Sequence, residues 1–163
     1  MKKANLNKVI TSVAICVLLG VVSGLITSYS TGMELETIQK PFFHPPDWFL
    51  KFVWVILYVL MGYSFAIIWS KPSRSRRTKE VIHKAMSLFG IQLILNVLWS
   101  FFFFKLANPF LALIEILMLW LLIFETIKAF NKIDNYAAKL LIPYLAWVSF
   151  TVILNGSIWY LNS

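Results

Sequence analysis

The sequence predicts an all-α integral membrane protein built as a bundle of five transmembrane helices. Three observations predict it. The 163-residue chain is 60% apolar and only 13% charged, with mean hydropathy +0.76. A soluble domain carries about 25% charged residues. Five stretches are long and apolar enough to cross a bilayer, which takes roughly 20 residues each. Lys and Arg fall overwhelmingly on one side of the resulting topology. This composition excludes disorder, a nucleic-acid-binding domain and an ordinary cytosolic enzyme. The net charge of +8 therefore reads as a topology signal. With one cysteine, Cys16, an internal disulfide and a Cys-built metal site are excluded. The length fits one membrane domain over residues 1–163 with no added soluble module.

The first span is expected over residues 9–29, inside a charge-free run from Val9 to Met33. Lys2, Lys3 and Lys8 precede it as in a signal peptide. The apolar run is too long for that and no small-x-small cleavage pattern closes it. Ser12, Cys16, Gly20, Gly24 and Ser28 recur every four residues. Such a stripe allows close helix packing, either within the bundle or across a homodimer. The second span is expected over 48–70, with Pro46 and Asp47 suited to its first turn and Pro72 to stop it. The third is expected over 82–104. The run Phe101 to Phe104 shows no barrel-type alternation. Asn108-Pro109 reads as a cap followed by a first-turn proline for the fourth span, 108–129. Asp134 and Asn135 can cap the fifth, 137–160, which Pro143 should bend.

Lys2, Lys3, Lys8, Lys71, Arg74, Arg76, Arg77, Lys79, Lys84, Lys128, Lys132 and Lys139 fall on one side of this layout, and Lys40, Lys51 and Lys105 on the other. Twelve against three puts the N-terminus in the cytoplasm and the C-terminus outside. The expected setting is a bacterial plasma membrane.

Polar groups inside lipid need partners or a cavity. Asn96 should lie ~12 Å below the outer end of helix 3, and Glu115 ~10 Å below that of helix 4, at about 1.5 Å per residue. Gln92, Asn155 and Tyr58 join them, so a cavity is expected in the outer half. Glu115 reads as a protonated packing residue, a hydrogen-bonded carboxylate or a ligand contact. Glu125 should reach water or Lys128. Trp48, Trp69 and Trp159 sit at span ends like an interfacial belt, whereas Trp54, Trp99, Trp120 and Trp147 lie deep. Trp54, Tyr58, Met61 and Phe65 follow helical spacing, as do Gln92, Asn96, Trp99 and Phe103, and Trp147, Phe150, Leu154 and Asn155. These stripes are either helix packing or the walls of a pocket. A pocket of indoles, phenyl rings and a few amides suits a large, flat, mostly apolar ligand. The loop from Ser30 to Asp47 could lie over its mouth. His44 there is solvated, or meets a metal or a carboxylate. No nucleophile–base pair, paired acids, metal-ligand cluster or phosphate-binding Gly loop is present. Nothing calls for a bound metal or nucleic acid.

Three blocks in this order resemble the TspO/MBR family, the tryptophan-rich sensory proteins related to the mitochondrial translocator protein. The first is Lys40-Pro41, His44-Pro45-Pro46-x-Trp48, Trp54, Leu57-Tyr58, Met61-Gly62-Tyr63 and Trp69. The second is Gln92-Leu93-x-Leu95-Asn96-x-x-Trp99 with Phe102, and the third Pro143-Tyr144-Leu145-Ala146-Trp147-x-x-Phe150 with Leu154-Asn155. The resemblance implies a five-helix bundle, often dimeric, with a pocket beneath the first loop. It implies porphyrins, notably protoporphyrin IX, as ligands, and isoquinoline carboxamides and benzodiazepines as synthetic ones, with no cofactor required. By position, Trp54 and Trp147 match the tryptophans tied to light- and oxygen-dependent porphyrin breakdown. Pro45, Tyr58, Asn96, Trp99, Phe150 and Leu154 match wall positions, and His44 a loop histidine. Glu115 stands where the family usually has Asp. No tryptophan occurs between Met33 and Gln39, although the family has one shortly before the Lys-Pro pair. The cholesterol motif lacks its basic residue after Tyr160. The expected role is tetrapyrrole binding of sensory or regulatory type, with porphyrin photodegradation or transport of porphyrins and other lipophilic molecules as alternatives.

Overall fold

The computed structural model describes residues 5–30, 39–72 and 75–163. Lys2, Lys3, Arg74, and the part of the first loop over residues 31–38, lie outside the described residues. Helices are α1 (Leu6–Ser30), α2 (Asp47–Trp69), α3 (Arg76–Ser100), α4 (Pro109–Asn131), α5 (Asn135–Leu140) and α6 (Ile142–Leu161), with a π-helical turn over Phe101–Lys105. They give five segments long and apolar enough to span a bilayer, α3 running on into the π turn and α5 with α6 forming one span.

Local chemistry explains most boundaries. Ser75 caps α3 by accepting from the Thr78 amide, so the helix starts at Arg76, ahead of the expected residue 82. Asn108 accepts from the Leu111 amide at 3.0 Å, with Pro109 in the first turn of α4. Asp134 accepts from the Ala137 amide at 3.0 Å and opens α5. Pro143 has no amide hydrogen to donate. The chain interrupts its helix at Leu141, two residues earlier, so the expected bend is a break. After the π turn, Ala107 takes φ 47°, a left-handed conformation that lets the chain reverse into Asn108.

The spans close into a ring in which α1 meets α2, α2 meets α5, the fifth span meets α4, α4 meets α3, and α3 returns to α1. The α1–α2 seam is the closest. A Cβ on Gly62 would lie 2.6 Å from Val13 Cα and 2.9 Å from its nitrogen. Ser12 and Cys16 are buried there, so this part of the small-residue stripe of α1 packs within the bundle. Ser28 falls among side chains that are not described.

The core holds Met61, Ile68, Phe89, Leu119, Ile123, Phe130 and Val148, all essentially solvent-free. Outward faces are apolar too, with Ile94, Met118, Leu121 and Ile153 more than half exposed. Such a surface fits a hydrocarbon solvent. At the end away from residues 39–46, Lys8 donates to the Trp69 carbonyl at 2.8 Å and lies over the Trp69 ring. Lys71 pairs with Asp134. Partial burial pushes the Asp134 carboxyl up, but hydrogen bonds from Lys71 and the Ala137 amide outweigh it and hold the group below its ordinary value. Glu125 reaches Lys128 at 2.8 Å, as its spacing suggests.

An aromatic cavity beneath the first loop

A cavity of about 700 Å³ opens at the end of the bundle that carries residues 39–46, well within the ~300–1,000 Å³ range of ligand pockets. Helix α1 supplies Gly20, Ser23, Gly24 and Thr27. From α2 come Asp47, Leu50, Lys51, Trp54 and Tyr58, spaced so that one helical face is used. Asn96, Trp99 and Ser100 of α3 continue into Phe103 and Phe104 of the π turn. Opposite them, α6 presents Trp147, Thr151, Leu154, Asn155 and Ile158. Lys40 and His44 of the loop complete the rim.

The floor is a hydrogen-bonded unit. Tyr58 donates to Asn96 Oδ1, and Asn96 Nδ2 donates to the Tyr144 hydroxyl at 3.0 Å. All three side chains are buried, so the amide satisfies two phenols from two other helices. Tyr58 packs on α1, where a Cβ at Gly20 would run into its ring. Higher up, Trp99 Nε1 donates to Asn155 Oδ1 at 3.1 Å, and Asn155 Nδ2 donates to the Pro109 carbonyl at 2.8 Å. Trp99 is thereby fixed from behind and stacks on Phe103 at 5.2 Å between centroids. Ser23 and Ser100 are hydrogen-bonded across the α1–α3 wall. By contrast, the indole nitrogen of Trp147 is buried without a partner among the described residues.

At the rim, partial burial and then the Lys40 charge hold the His44 imidazole below its ordinary value, against a weaker pull from Asp47. It is neutral at neutral pH and offers one donor and one acceptor. The His44 amide donates to the Pro41 carbonyl at 3.0 Å, which sets the loop's turn.

Seven of the ten expected ligand-binding residues line the cavity: His44, Trp54, Tyr58, Asn96, Trp99, Trp147 and Leu154. Three do not. Pro45 precedes Pro46, which is extended at φ −64°, ψ 146°. A residue before proline is itself held extended, so Pro45 shapes the approach to α2. Phe150 lies about 80° around α6 from the mean direction of the wall positions, at 100° per residue. It packs between Trp147 and Phe43. Glu115 lies apart for a larger reason: among the described residues, α4 contributes none to the cavity lining. That helix backs α3 and α6, so Glu115 is buried in the seam with neither oxygen paired to protein. Trp120 belongs to the same seam and donates to Ser149 Oγ at 2.8 Å.

Gln92 is fully buried, and among the described residues its amide nitrogen and oxygen are both unpaired. A buried polar group without partners costs about 1–3 kcal/mol. Gln92→Leu should therefore raise the thermal midpoint in detergent by about 2–12 °C, at roughly 2–4 °C per kcal/mol for a chain this size. A lowered midpoint in a tryptophan-fluorescence melt would show that Gln92 has a partner.

Sequence reasoning missed the α1 wall and the rim pair Lys40 and Lys51. Gly20 and Gly24 read as packing positions because glycine signals close approach, whether to a helix or to an empty space. Ser23 and Thr27, four residues apart and facing Ser100, were the available signal.

Comparison with known proteins agrees with this architecture. The TspO/MBR family pattern matches residues 12–161. The chain is 36% identical to the Tryptophan-rich protein TspO of Chlorobaculum tepidum, over 96% of this chain and 99% of that one. It is 33% identical to the protein of the same name from Archaeoglobus fulgidus, over 98% and 99%. It is 38% identical to the Translocator protein of Homo sapiens, over 75% and 70%. With a family match over nearly its whole length and five apolar helices to carry it through a bilayer, the chain belongs to the TspO/MBR family of integral membrane proteins.

Proposed function

We propose that this protein binds a tetrapyrrole, with protoporphyrin IX as the test ligand, and acts as a sensor or regulator rather than a conventional enzyme. One observation carries the reading: three indoles and two phenyl rings wall a cavity of about 700 Å³ whose buried Trp147 N–H has no acceptor among the described residues. A broad aromatic surface favours a flat apolar guest, and an orphaned buried donor favours a guest with an acceptor. The uneven distribution of Lys and Arg supports a mouth that faces outward from the cytoplasm.

Soret absorbance of protoporphyrin IX, titrated with protein in lipid nanodiscs, tests the proposal. Saturable binding is expected. Trp54→Ala combined with Trp147→Ala should weaken it about 100-fold, from roughly 1.5 kcal/mol per ring at 1.4 kcal/mol per tenfold. Saturable binding unchanged in the double variant refutes the site.

A second reading is light-dependent porphyrin breakdown with dioxygen as oxidant. Trp54 and Trp147 on facing walls favour it, because each indole would lie against the excited ring as an electron donor. Illuminated samples that yield no product beyond a protein-free control leave binding alone.

A further inference from the structure

We infer that the flank between α2 and the last span is a lateral window, through which flat apolar molecules pass between the cavity and the surrounding hydrocarbon. The inference rests on the ligand-binding reading above and adds the route by which that site fills and empties.

The other flanks of the cavity are firmly fastened. Ser23 and Ser100 are hydrogen-bonded between α1 and α3. Asn96 donates to Tyr144, and Trp99 to Asn155, between α3 and α6. Between α1 and α2, a Cβ at Gly20 or Gly62 would run into the facing helix.

The flank between α2 and α6 is built differently. At its foot, Ser64 donates to the Ala137 carbonyl at 2.7 Å. At its top, the Gln39 amide donates to Asn162 Oδ1 at 2.9 Å, and Asn162 Nδ2 donates to the Gln39 carbonyl at 3.1 Å. Between these two ties, among the described residues, no hydrogen bond or ion pair joins α6 to α2 or to residues 39–46. Three ring pairs cross instead. Phe43 meets Phe150, Phe49 meets Trp147 and Trp54 meets Tyr144, with centroids 6.4, 6.2 and 6.4 Å apart, each edge to face. These separations fall toward the wide end of the ~4.5–7 Å range for such pairs. Tyr144 is held by Asn96, so the pairs free to part are the upper two. Rotating their rings strands no buried donor or acceptor.

The rings also stand in the right place. Trp147 lines the cavity, whereas Phe49, Phe43 and Phe150 do not. Phe49 therefore covers a wall residue from outside the cavity, and it is 38% exposed. Phe52 and Ile153, about one turn on from Phe49 and Phe150, are more than half exposed, so the approach is apolar. The mouth, by contrast, carries Lys40, Asp47 and Lys51. For an apolar body already dissolved in lipid, a flank of rings continues its solvent and a charged mouth does not.

Displacement kinetics in phosphatidylcholine proteoliposomes test the window. Bound protoporphyrin IX dimethyl ester, or bound pyrene, is displaced by excess phenanthrene and followed through emission sensitised by the protein's tryptophans. Titration gives the affinity, and the two together give the association rate. Phe49→Ala and Phe43→Ala should each speed release and association about tenfold at unchanged affinity, the size of one lost ring pair. Phe49→Leu, which keeps much of the bulk, should fall between Phe49→Ala and wild type, and it carries the test if Phe49→Ala does not fold. Phe110→Ala removes a ring pair with Trp159 on another flank, outside the cavity lining, and should exchange like wild type. Wild-type rates in the Phe49 and Phe43 variants overturn the window and leave tetrapyrrole binding standing. Weakened affinity with unchanged association overturns it in favour of a structural role for these rings. Equal acceleration in Phe110→Ala overturns it in favour of general loosening. If the ester does not bind while pyrene exchange still quickens in Phe49→Ala, the window stands and the tetrapyrrole reading falls.

Discussion

Gly62→Val lowers the thermal midpoint by about 6–12 °C or prevents accumulation of folded protein. The substituted position has no room for even a methyl group, because Val13 backbone atoms lie 2.6 and 2.9 Å from where a Cβ would sit. Flexible side-chain ends can move aside, but a helix backbone cannot. The strain must separate α1 from α2 along their whole seam. Overpacking commonly costs about 1–3 kcal/mol, and a backbone clash falls at the top of that range, which at roughly 2–4 °C per kcal/mol gives the stated shift. Gly24 provides the internal control. A Cβ there meets nothing within 4 Å, so Gly24→Ala should leave the melt unchanged or raise it slightly. Equal melts for Gly62→Val and wild type would mean that α1 does not lie this close to α2.

Asn96→Leu should be about as damaging, for the opposite reason. Its amide takes the Tyr58 proton and donates to Tyr144. Leucine strands two buried hydroxyls at about 1–3 kcal/mol each, so a loss of roughly 2–6 kcal/mol is expected. Removing the orphans tests the cause. The triple variant Asn96→Leu, Tyr58→Phe, Tyr144→Phe should recover much of the stability, since replacing all partners by apolar groups of similar shape can be nearly neutral. A triple variant no more stable than Asn96→Leu alone would show that packing volume, and not the phenols, makes Asn96 necessary.

The same residues show what could be read from the chain before its fold was known. Each span announced itself through apolar length, Asn108 and Asp134 marked boundaries, and Pro143 marked a disturbance inside the fifth, all through local chemistry that needs no tertiary context. Helical spacing put Asn96, Trp99 and Trp147 on common faces with other aromatic or amide groups, which fitted packing and a pocket wall alike; the family resemblance singled them out as pocket positions. Glu115 was left with several readings because depth fixes a residue's height in the membrane and says nothing about which way its helix faces. That depends on α4 lying behind α3 and α6. The π turn escaped because four phenylalanines in a row fit an α-helix equally well. Its wider turn brings the sequence neighbours Phe103 and Phe104 into the same wall.

The interruption at Leu141 gives the last span two allegiances. Its short foot is riveted to α2, where Ser64 donates to the Ala137 carbonyl at 2.7 Å and Lys71 holds Asp134. The mast above it is tied elsewhere, since the side-chain hydrogen bonds of Tyr144, Ser149 and Asn155 to other helices all go to α3 and α4. The interruption at Leu141 therefore separates the part of the last span fastened to α2 from the part fastened to α3 and α4.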